Sequence, residues 1–208
     1  MNERRPAFAS DAATARYYDR RAGEYDEWYR GEGRFAARDR PGWAHEVDTV
    51  AALLGSLPCA TTLDVACGTG YLSRHLHGPV VGVDRSAAMV AIARARIGCA
   101  AVADALELPI ADGGVERVFT GHFYGHLPNA ERETFVKEAR RVGAELVVVD
   151  SAMRPEQPAE SWQQRTLNDG SSHWIWKRFL RPGELAAEIG GEPIFSGAWF
   201  VAARVRWR

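Results

Sequence analysis

Two glycines stand close together in Leu63-Asp64-Val65-Ala66-Cys67-Gly68-Thr69-Gly70-Tyr71-Leu72-Ser73, directly after a short apolar run. Glycine suits a place where the chain turns sharply out of a buried strand and where backbone amides must approach a ligand with no Cβ in the way. In open parallel sheets such a turn lies beyond the carboxyl ends of the strands, where ligands bind. Further on, Val80-Val81-Gly82-Val83-Asp84 ends a second apolar run in a carboxylate. An acid about twenty residues after a glycine turn accepts hydrogen bonds from both ribose hydroxyls of an adenosine. Glycines after a strand are on their own merely a turn; with Asp84 at that offset they point to a nucleoside pocket. A nicotinamide or flavin site prefers a third glycine three residues after the second, and Ser73 stands there instead.

The run Asp64-x-Ala66-x-Gly68-x-Gly70 resembles the first motif of the class I S-adenosylmethionine-dependent methyltransferases, with Ala66 where that family often has its first glycine. Further segments match in order. Asp84, followed by Arg85, is similar to the family's ribose-binding acid. Ser86 and Met89 stand where residues flank the adenine. Asp104-Ala105-Leu106 resembles the segment whose acid approaches the adenine amino group and whose neighbour packs on the ring. Gly121-His122-Phe123-Tyr124-Gly125-His126-Leu127-Pro128 resembles the motif beside the reactive methyl. The resemblance implies S-adenosylmethionine as donor and S-adenosylhomocysteine as product. It also implies that Asp64 helps hold the donor's ammonium through water, while amides near Gly68 to Leu72 suit its carboxylate.

On the acceptor side, Tyr17-Tyr18-Asp19-Arg20-Arg21-Ala22-Gly23-Glu24-Tyr25-Asp26 is similar to the lid of small-molecule methyltransferases, with Tyr17 or Tyr25 covering the donor's methionine end. Amphipathic packing is the alternative. The stretch from Arg165 through His173-Trp174-Ile175-Trp176-Lys177, on to Pro182 and Leu185, resembles one subgroup that includes a phosphonate O-methyltransferase of bacterial antibiotic biosynthesis. That likeness implies a small anionic acceptor, clamped by Arg165 with Lys177 as a point charge. Such an oxygen is already ionised and needs no strong base. Tyr18, Tyr25 and Trp174 are further candidates for the acceptor side.

Whether Arg165 and Lys177 meet depends on the hairpin. A two-residue loop at Asp169-Gly170 puts Arg165 with Trp174 and Trp176; a three-residue loop with a bulge puts it with Lys177. His122 and Tyr25 are candidates for catalysis and His173 for a second acceptor-side group; His126 reads as structural. Trp162, Trp174, Trp176 and Trp199 form either core packing or an aromatic wall, and a wall would favour a flat acceptor. Methylation of nitrogen or carbon on an aromatic compound, and donor binding without transfer, are the alternatives kept. No metal is expected, because no histidine, cysteine and carboxylate cluster has ligand spacing.

These residues need elements to carry them. Residues 10–57 read as helical, with a break at Pro41-Gly42 and an apolar stripe of Val47, Val50, Ala51 and Leu54. Strand-like runs at 62–66, 80–83, 100–103, 117–120 and 146–149 alternate with helical segments from Gly70 to about 77, at 87–96 and at 129–142. A hairpin at 165–180, a short helix from Arg181-Pro182 and a strand at 198–207 follow. This alternation predicts an α/β, Rossmann-like, doubly wound sheet of seven strands, mostly parallel, with helices on both faces, antiparallel C-terminal strands and a helical N-terminal lid. One domain over 1–208 is expected, divided into 1–57, 58–151 and 152–208.

Composition sets the outer limits. The formal net charge is −1, so no global basic field advertises nucleic acid or an anionic membrane. The motif after the fourth strand is Gly-His-Phe-Tyr rather than the Asn/Asp-Pro-Pro-aromatic type of exocyclic-amine enzymes. Cys59, Cys67 and Cys99 suit a reduced, cytoplasmic setting. Met-Asn-Glu-Arg-Arg-Pro leads into no apolar signal segment, and the apolar runs have the length of buried strands. A small-molecule acceptor is the expected partner, and the chain is expected to be a monomer or homodimer.

Overall fold

The structure, a computed structural model, describes residues 12–207. The leading segment and the first residues of the expected N-terminal helical run lie outside them. Helix α1 (Ala12–Arg21) and α2 (Glu27–Arg30) are joined by a 3₁₀ turn at Ala22–Glu24, and α2 stops at Gly31 in the left-handed conformation. After a further 3₁₀ turn at Gly33–Phe35, α3 (Trp43–Ser56) buries Trp43, Val47, Val50 and Leu54 on one stripe. It ends at Leu57, extended as the residue before a proline must be.

The α/β body follows as β1 (Thr62–Val65), β2 (Val80–Asp84), α4 (Ala87–Ile97), β3 (Ala100–Val102), β4 (Val115–Gly121), α5 (Asn129–Val142) and β5 (Gly143–Ser151). Then come β6 (Glu160–Thr166), β7 (Ser172–Arg178), α6 (Pro182–Ile189), β8 (Glu192–Ser196) and β9 (Phe200–Arg206). The seven-stranded sheet has the order β3-β2-β1-β4-β5-β9-β8, with β1 to β5 parallel and the β5–β9 and β9–β8 pairs antiparallel. Hairpin β6–β7 forms a separate two-stranded sheet.

Strand β5 shows why helices cover both faces. Leu146 and Val148 pack with Phe135 and Ala139 of α5 and Leu185 of α6, whereas Val147 and Val149 pack with Val47, Val50 and Leu54 of α3. A run apolar at every position has no solvent face to offer. Among the described residues, no helix is long and apolar enough to cross a membrane.

The expected helix after Gly70 is not an α-helix. Caught between the glycine turn and Gly78-Pro79, the segment tightens to a 3₁₀ turn at Ser73–His75. The N-terminal helices are fastened to this turn: Asp26 accepts hydrogen bonds from Thr69 Oγ1 at 2.6 Å and from Arg96 at 2.6 Å. Ser86 caps α4 by accepting from the Met89 N–H, and donates to Asp19 of α1 at 2.6 Å.

Among the described residues, two non-glycines adopt the left-handed region: Ala66 (φ 56°), just after β1, and His122 (φ 59°), just after β4. β1 and β4 are neighbours, so both departures open on one crevice. Left-handed backbone costs a residue with a Cβ about 1–2 kcal/mol, against an entropic loss for glycine of about 0.5–1 kcal/mol. Ala66→Gly is therefore expected to raise the unfolding free energy by about 0.5–1 kcal/mol. Denaturant midpoints measure it; an unchanged or lower midpoint would mean that the Ala66 methyl is worth more than the strain.

Candidate active site

The crevice beyond β1 and β4 holds a first pocket. From the strand ends come Ala66 and Gly68, Asp84 with Arg85 and Ser86, Ala103 with Ala105, and Gly121 to Phe123; α1 covers it with Thr14, Ala15 and Tyr18, joined by Tyr25. At Gly68 (φ 53°) a Cβ would stand 3.6 Å from the Tyr25 ring, so the glycine lets the ring lie against the turn. Asp84 accepts hydrogen bonds from the Gly68 N–H at 2.9 Å and the Ser86 N–H at 2.8 Å. Burial lifts its carboxyl above the ordinary range, while those amides pull the other way. The Nη1 of Arg85 is buried with no partner among the described residues.

A small side cavity adjoins this pocket, sharing Tyr25, Ala66 and Gly121 with it, and Asp64 faces it. Asp64 is buried, its Oδ1 has no hydrogen-bond partner among the described residues, and burial, opposed by the Ser73 hydroxyl, pushes its carboxyl up to about 8. A buried carboxyl without a partner is costly, and a cationic group beside it would offset that cost.

The structure relocates several expected cofactor contacts. Met89 lies in the core at the start of α4 and does not line the pocket. Of Asp104-Ala105-Leu106, only Ala105 reaches it; Asp104 ties its own turn by accepting from the Leu106 N–H, and Leu106 packs on the core. Gly70 shapes the turn against Ile97 rather than the pocket wall. Tyr17 is buried against Leu167 and Ile175 and lines the second cavity, whereas its neighbour Tyr18 lines both.

That second cavity, about 670 Å³, lies between the N-terminal helices and the β6–β7 hairpin, and shares Tyr18, Tyr25 and His122 with the first. Its walls carry seven cationic side chains, Arg21, Arg34, Arg38, Arg40, Arg154, Arg165 and Lys177, against two carboxylates, Glu24 and Asp39. Among the described residues, none of the six arginines pairs with a carboxylate.

The hairpin register decides the parity that loop length left open. Thr166 pairs with Ser172 across a five-residue connection, 167–171, and Arg165 pairs with His173, so Arg165, His173, Ile175 and Lys177 share one face. Trp162, Trp174 and Trp176 occupy the other. Trp174 is 53% exposed and does not contribute to the cavity, which removes it from the acceptor contacts. His173 lies 5.1 Å from the Tyr17 ring and 3.2 Å from Ser171 Oγ, packed beside the cavity rather than lining it.

Lys177 is not a free point charge. It is buried and donates to Asp150, whose carboxylate also accepts the Gly125 N–H at 2.6 Å and the Ser151 N–H at 2.6 Å. Burial works against Asp150's charge, but the Lys177 ammonium holds its carboxyl below the usual range. His122 Nδ1 is 3.9 Å from the same carboxylate, and neither ring nitrogen has a hydrogen-bond partner. Its ring sits among Trp28, Tyr29 and Phe200, and burial drags its pKa down to about 3, leaving a neutral imidazole. His126 Nδ1 lies 2.6 Å from the Trp176 carbonyl of the hairpin, and the residue also lines the second cavity.

Sequence reasoning passed over Arg21, Arg34, Arg38, Arg40, Arg154 and Asp150. The signals were there: a basic run, Arg34-Phe35-Ala36-Ala37-Arg38-Asp39-Arg40, and a carboxylate at the end of the most apolar strand.

Residues 62–145 match the family model described as a methyltransferase domain. Demethylmenaquinone methyltransferase of Lactiplantibacillus plantarum is 32% identical over 114 residues, 48% of this chain and 48% of that protein. The tRNA (carboxymethyluridine(34)-5-O)-methyltransferase ALKBH8 of Macaca fascicularis is 32% identical over 124 residues, 56% of this chain and 18% of that protein. The chain thus spans half or less of the curated relatives it matches. The solved DhpI–SAM–HEP complex is similar over nearly the whole length, with TM-score 0.70, 26% identity, and coverage of 93% of this chain and 96% of that one. Residues 62–145 thus match a methyltransferase domain, and over nearly its whole length the chain resembles DhpI in fold.

Proposed function

We propose that the chain transfers the methyl group of S-adenosylmethionine to an oxygen of a small anionic molecule, a phosphonate or carboxylate, releasing S-adenosylhomocysteine. The carrying observation is the joining of two cavities at Tyr18, Tyr25 and His122, the first lined by Gly68 and Asp84 and the second by six arginines without carboxylate partners among the described residues. Likeness to DhpI, solved as a DhpI–SAM–HEP complex and a DhpI–SAH complex, supports both halves of the reading.

The residues present fit the donor. Asp84 stands at the ribose position, Asp64 has a buried oxygen without a partner for the ammonium side, and Ala103 and Ala105 leave room for a flat base. When bound, the donor supplies a sulfonium-activated methyl; the acceptor oxygen forms the new O–C bond as the S–C bond breaks, and one negative charge on the acceptor is neutralised. The chain contributes alignment and exclusion of water. Arg165 and Arg21 direct the anion, and Tyr18 and Tyr25 close the junction. No proton has to be removed from an ionised oxygen, so His122 acts as a neutral wall and hydrogen-bond partner. Asp150 and Lys177 hold its surroundings close to neutral.

A flat aromatic acceptor is less well served. Three of the rings at the cavity are already faced by guanidinium groups: Trp43 by Arg40 at 3.9 Å, Trp199 by Arg154 at 4.4 Å and Phe35 by Arg38 at 4.7 Å. The three cysteines are free, in keeping with a cytoplasmic setting as part of the same proposal.

Calorimetric titration tests the donor half: S-adenosylhomocysteine is expected to bind at micromolar concentration and nicotinamide dinucleotide not at all. Asp84→Ala is expected to weaken that binding at least tenfold, since each hydrogen bond lost to a charged group is worth about 1.5–3 kcal/mol. Wild-type affinity in the variant would refute the ribose assignment.

For the acceptor half, Arg165→Ala is expected to raise KM for an alkylphosphonate roughly tenfold or more, leaving S-adenosylhomocysteine affinity in place. Loss of donor affinity instead would contradict the division into two cavities. The pH profile checks His122: with its pKa near 3, kcat/KM should pass through pH 6.5 without a break, since the imidazole is already neutral there. An inflection near 6.5 that vanishes in His122→Asn would show an imidazole titrating in the ordinary range. Asparagine tolerates the left-handed backbone at that position.

A further inference from the structure

The acceptor cavity holds more positive charge than one anionic group can use. At its inner end Arg21 is buried, donates to the Tyr17 hydroxyl at 2.7 Å and lies 4.9 Å from the Tyr25 ring, while Arg165 donates to Gln163 at 2.9 Å and shares a hairpin face with Lys177. At its outer end the Gly33–Phe35 turn and the segment after it contribute three more guanidinium groups. Arg34 donates to the Leu167 carbonyl and Arg40 to the Trp28 carbonyl, each at 3.1 Å. Arg38 donates to no group among the described residues and rests on the Phe35 ring at 4.7 Å. Arg38 is exposed at the mouth; partial desolvation first, then the charges of Arg165, Arg21 and Arg34, lower its pKa from the ordinary value.

Two features separate this cluster from ordinary solvated arginines. None of the three pairs with a carboxylate among the described residues, although Asp39 lies between two of them in sequence. The Phe35 and Trp43 rings also lie against Arg38 and Arg40, at 4.7 and 3.9 Å, which restrains the two guanidinium groups while leaving Arg38 with no hydrogen bond among the described residues and Arg40 with one to the Trp28 carbonyl.

We propose that Arg34, Arg38 and Arg40 form a second anion subsite at the outer end of the cavity, so that the acceptor carries two anionic groups. One group is presented for methylation from Arg21 and Arg165; the other, a carboxylate or phosphonate on the same small molecule, is held by the outer arginines. This rests on the anionic-acceptor reading above and narrows it to dianionic acceptors.

The test is a calorimetric series on the chain preloaded with S-adenosylhomocysteine. Ethylphosphonate serves as the single-anion probe and ω-phosphonocarboxylates of increasing chain length as the two-anion probes. The best-fitting member is expected to bind roughly tenfold to a hundredfold more tightly than ethylphosphonate. In Arg38→Gln and in the Arg34→Gln/Arg38→Gln double variant that ratio should collapse toward one, with S-adenosylhomocysteine binding reporting that each variant is folded. A ratio near one at every chain length in the wild type, or a ratio that survives in the folded variants, would overturn the proposal. If ethylphosphonate and every longer probe fail to bind while S-adenosylhomocysteine binds, the anionic-acceptor reading itself falls and takes this one with it.

Discussion

The crevice between the carboxyl ends of β1 and β4 is the constraint on which the rest of the structure depends. In the order β3-β2-β1-β4-β5 the sheet reverses direction of winding between these two strands, so their onward connections part to opposite sides and leave a gap. The chain holds that gap open with left-handed backbone at Ala66 and His122, two residues that would not choose it. Strain persists only where the surroundings over-determine it. Here the surroundings are the apolar runs of β1, β4 and β5, buried on both faces and unable to slide. The rigid part of the molecule therefore fixes where the pocket lies, and the less regular N-terminal and hairpin segments fix what its mouth is made of.

Charge is distributed on the same principle. A formal net charge of −1 conceals an uneven distribution: some pairs are closely matched, as Arg117 with Glu145 at 2.6 Å, whereas the second cavity collects six arginines without carboxylate partners among the described residues. Within it, the most deeply buried charge is neutralised locally. Asp150 and Lys177 cancel, and His122 stays uncharged because burial outweighs the pull of Asp150. The net positive field thus comes from the arginines toward the mouth, and the floor beside the junction is close to neutral. On the proposed reading, such a distribution would attract an anion at the mouth and oppose little charge to it at the floor.

What the sequence made legible follows the strength of local physics. Continuous apolar runs announce parallel strands, and all five were placed within a few residues; the glycine turn and Asp84 announced the pocket. Legibility failed where tertiary contact decides. Hairpin parity depended on a five-residue connection that no residue pair declares, because its tip is held by the N-terminal helices: Arg20 bonds Asp169 at 2.7 Å and Glu24 accepts the Asn168 N–H at 2.7 Å. Strand β8, Glu192–Ser196, carries a proline and a bulge at the sheet edge and has too little alternation to be read as a strand. Arg34 and Arg38 are exposed, as their polar stretch suggests, and only the fold shows that with Arg40 they line a cavity beside Phe35, Trp43 and the hairpin. Tyr17 and Tyr18 exchanged roles because a one-residue step on a helix moves a side chain by about 100°.

These contacts make the two cavities mechanically one. α1 covers the first pocket with Tyr18 and the second with Tyr17, Tyr18 and Arg21; it is tied to α4 through Asp19 and Ser86 and to the hairpin tip through Arg20 and Asp169. Displacing α1 far enough to admit a nucleoside to the first pocket must also move Tyr18 and Arg21 in the second, and pull on the hairpin that carries Arg165. The anion-directing arginines and the pocket cover cannot therefore be arranged independently. Arg21 of α1 and Arg165 of the hairpin line the same cavity, so the contacts that seat α1 over the first pocket also set where these two guanidinium groups stand.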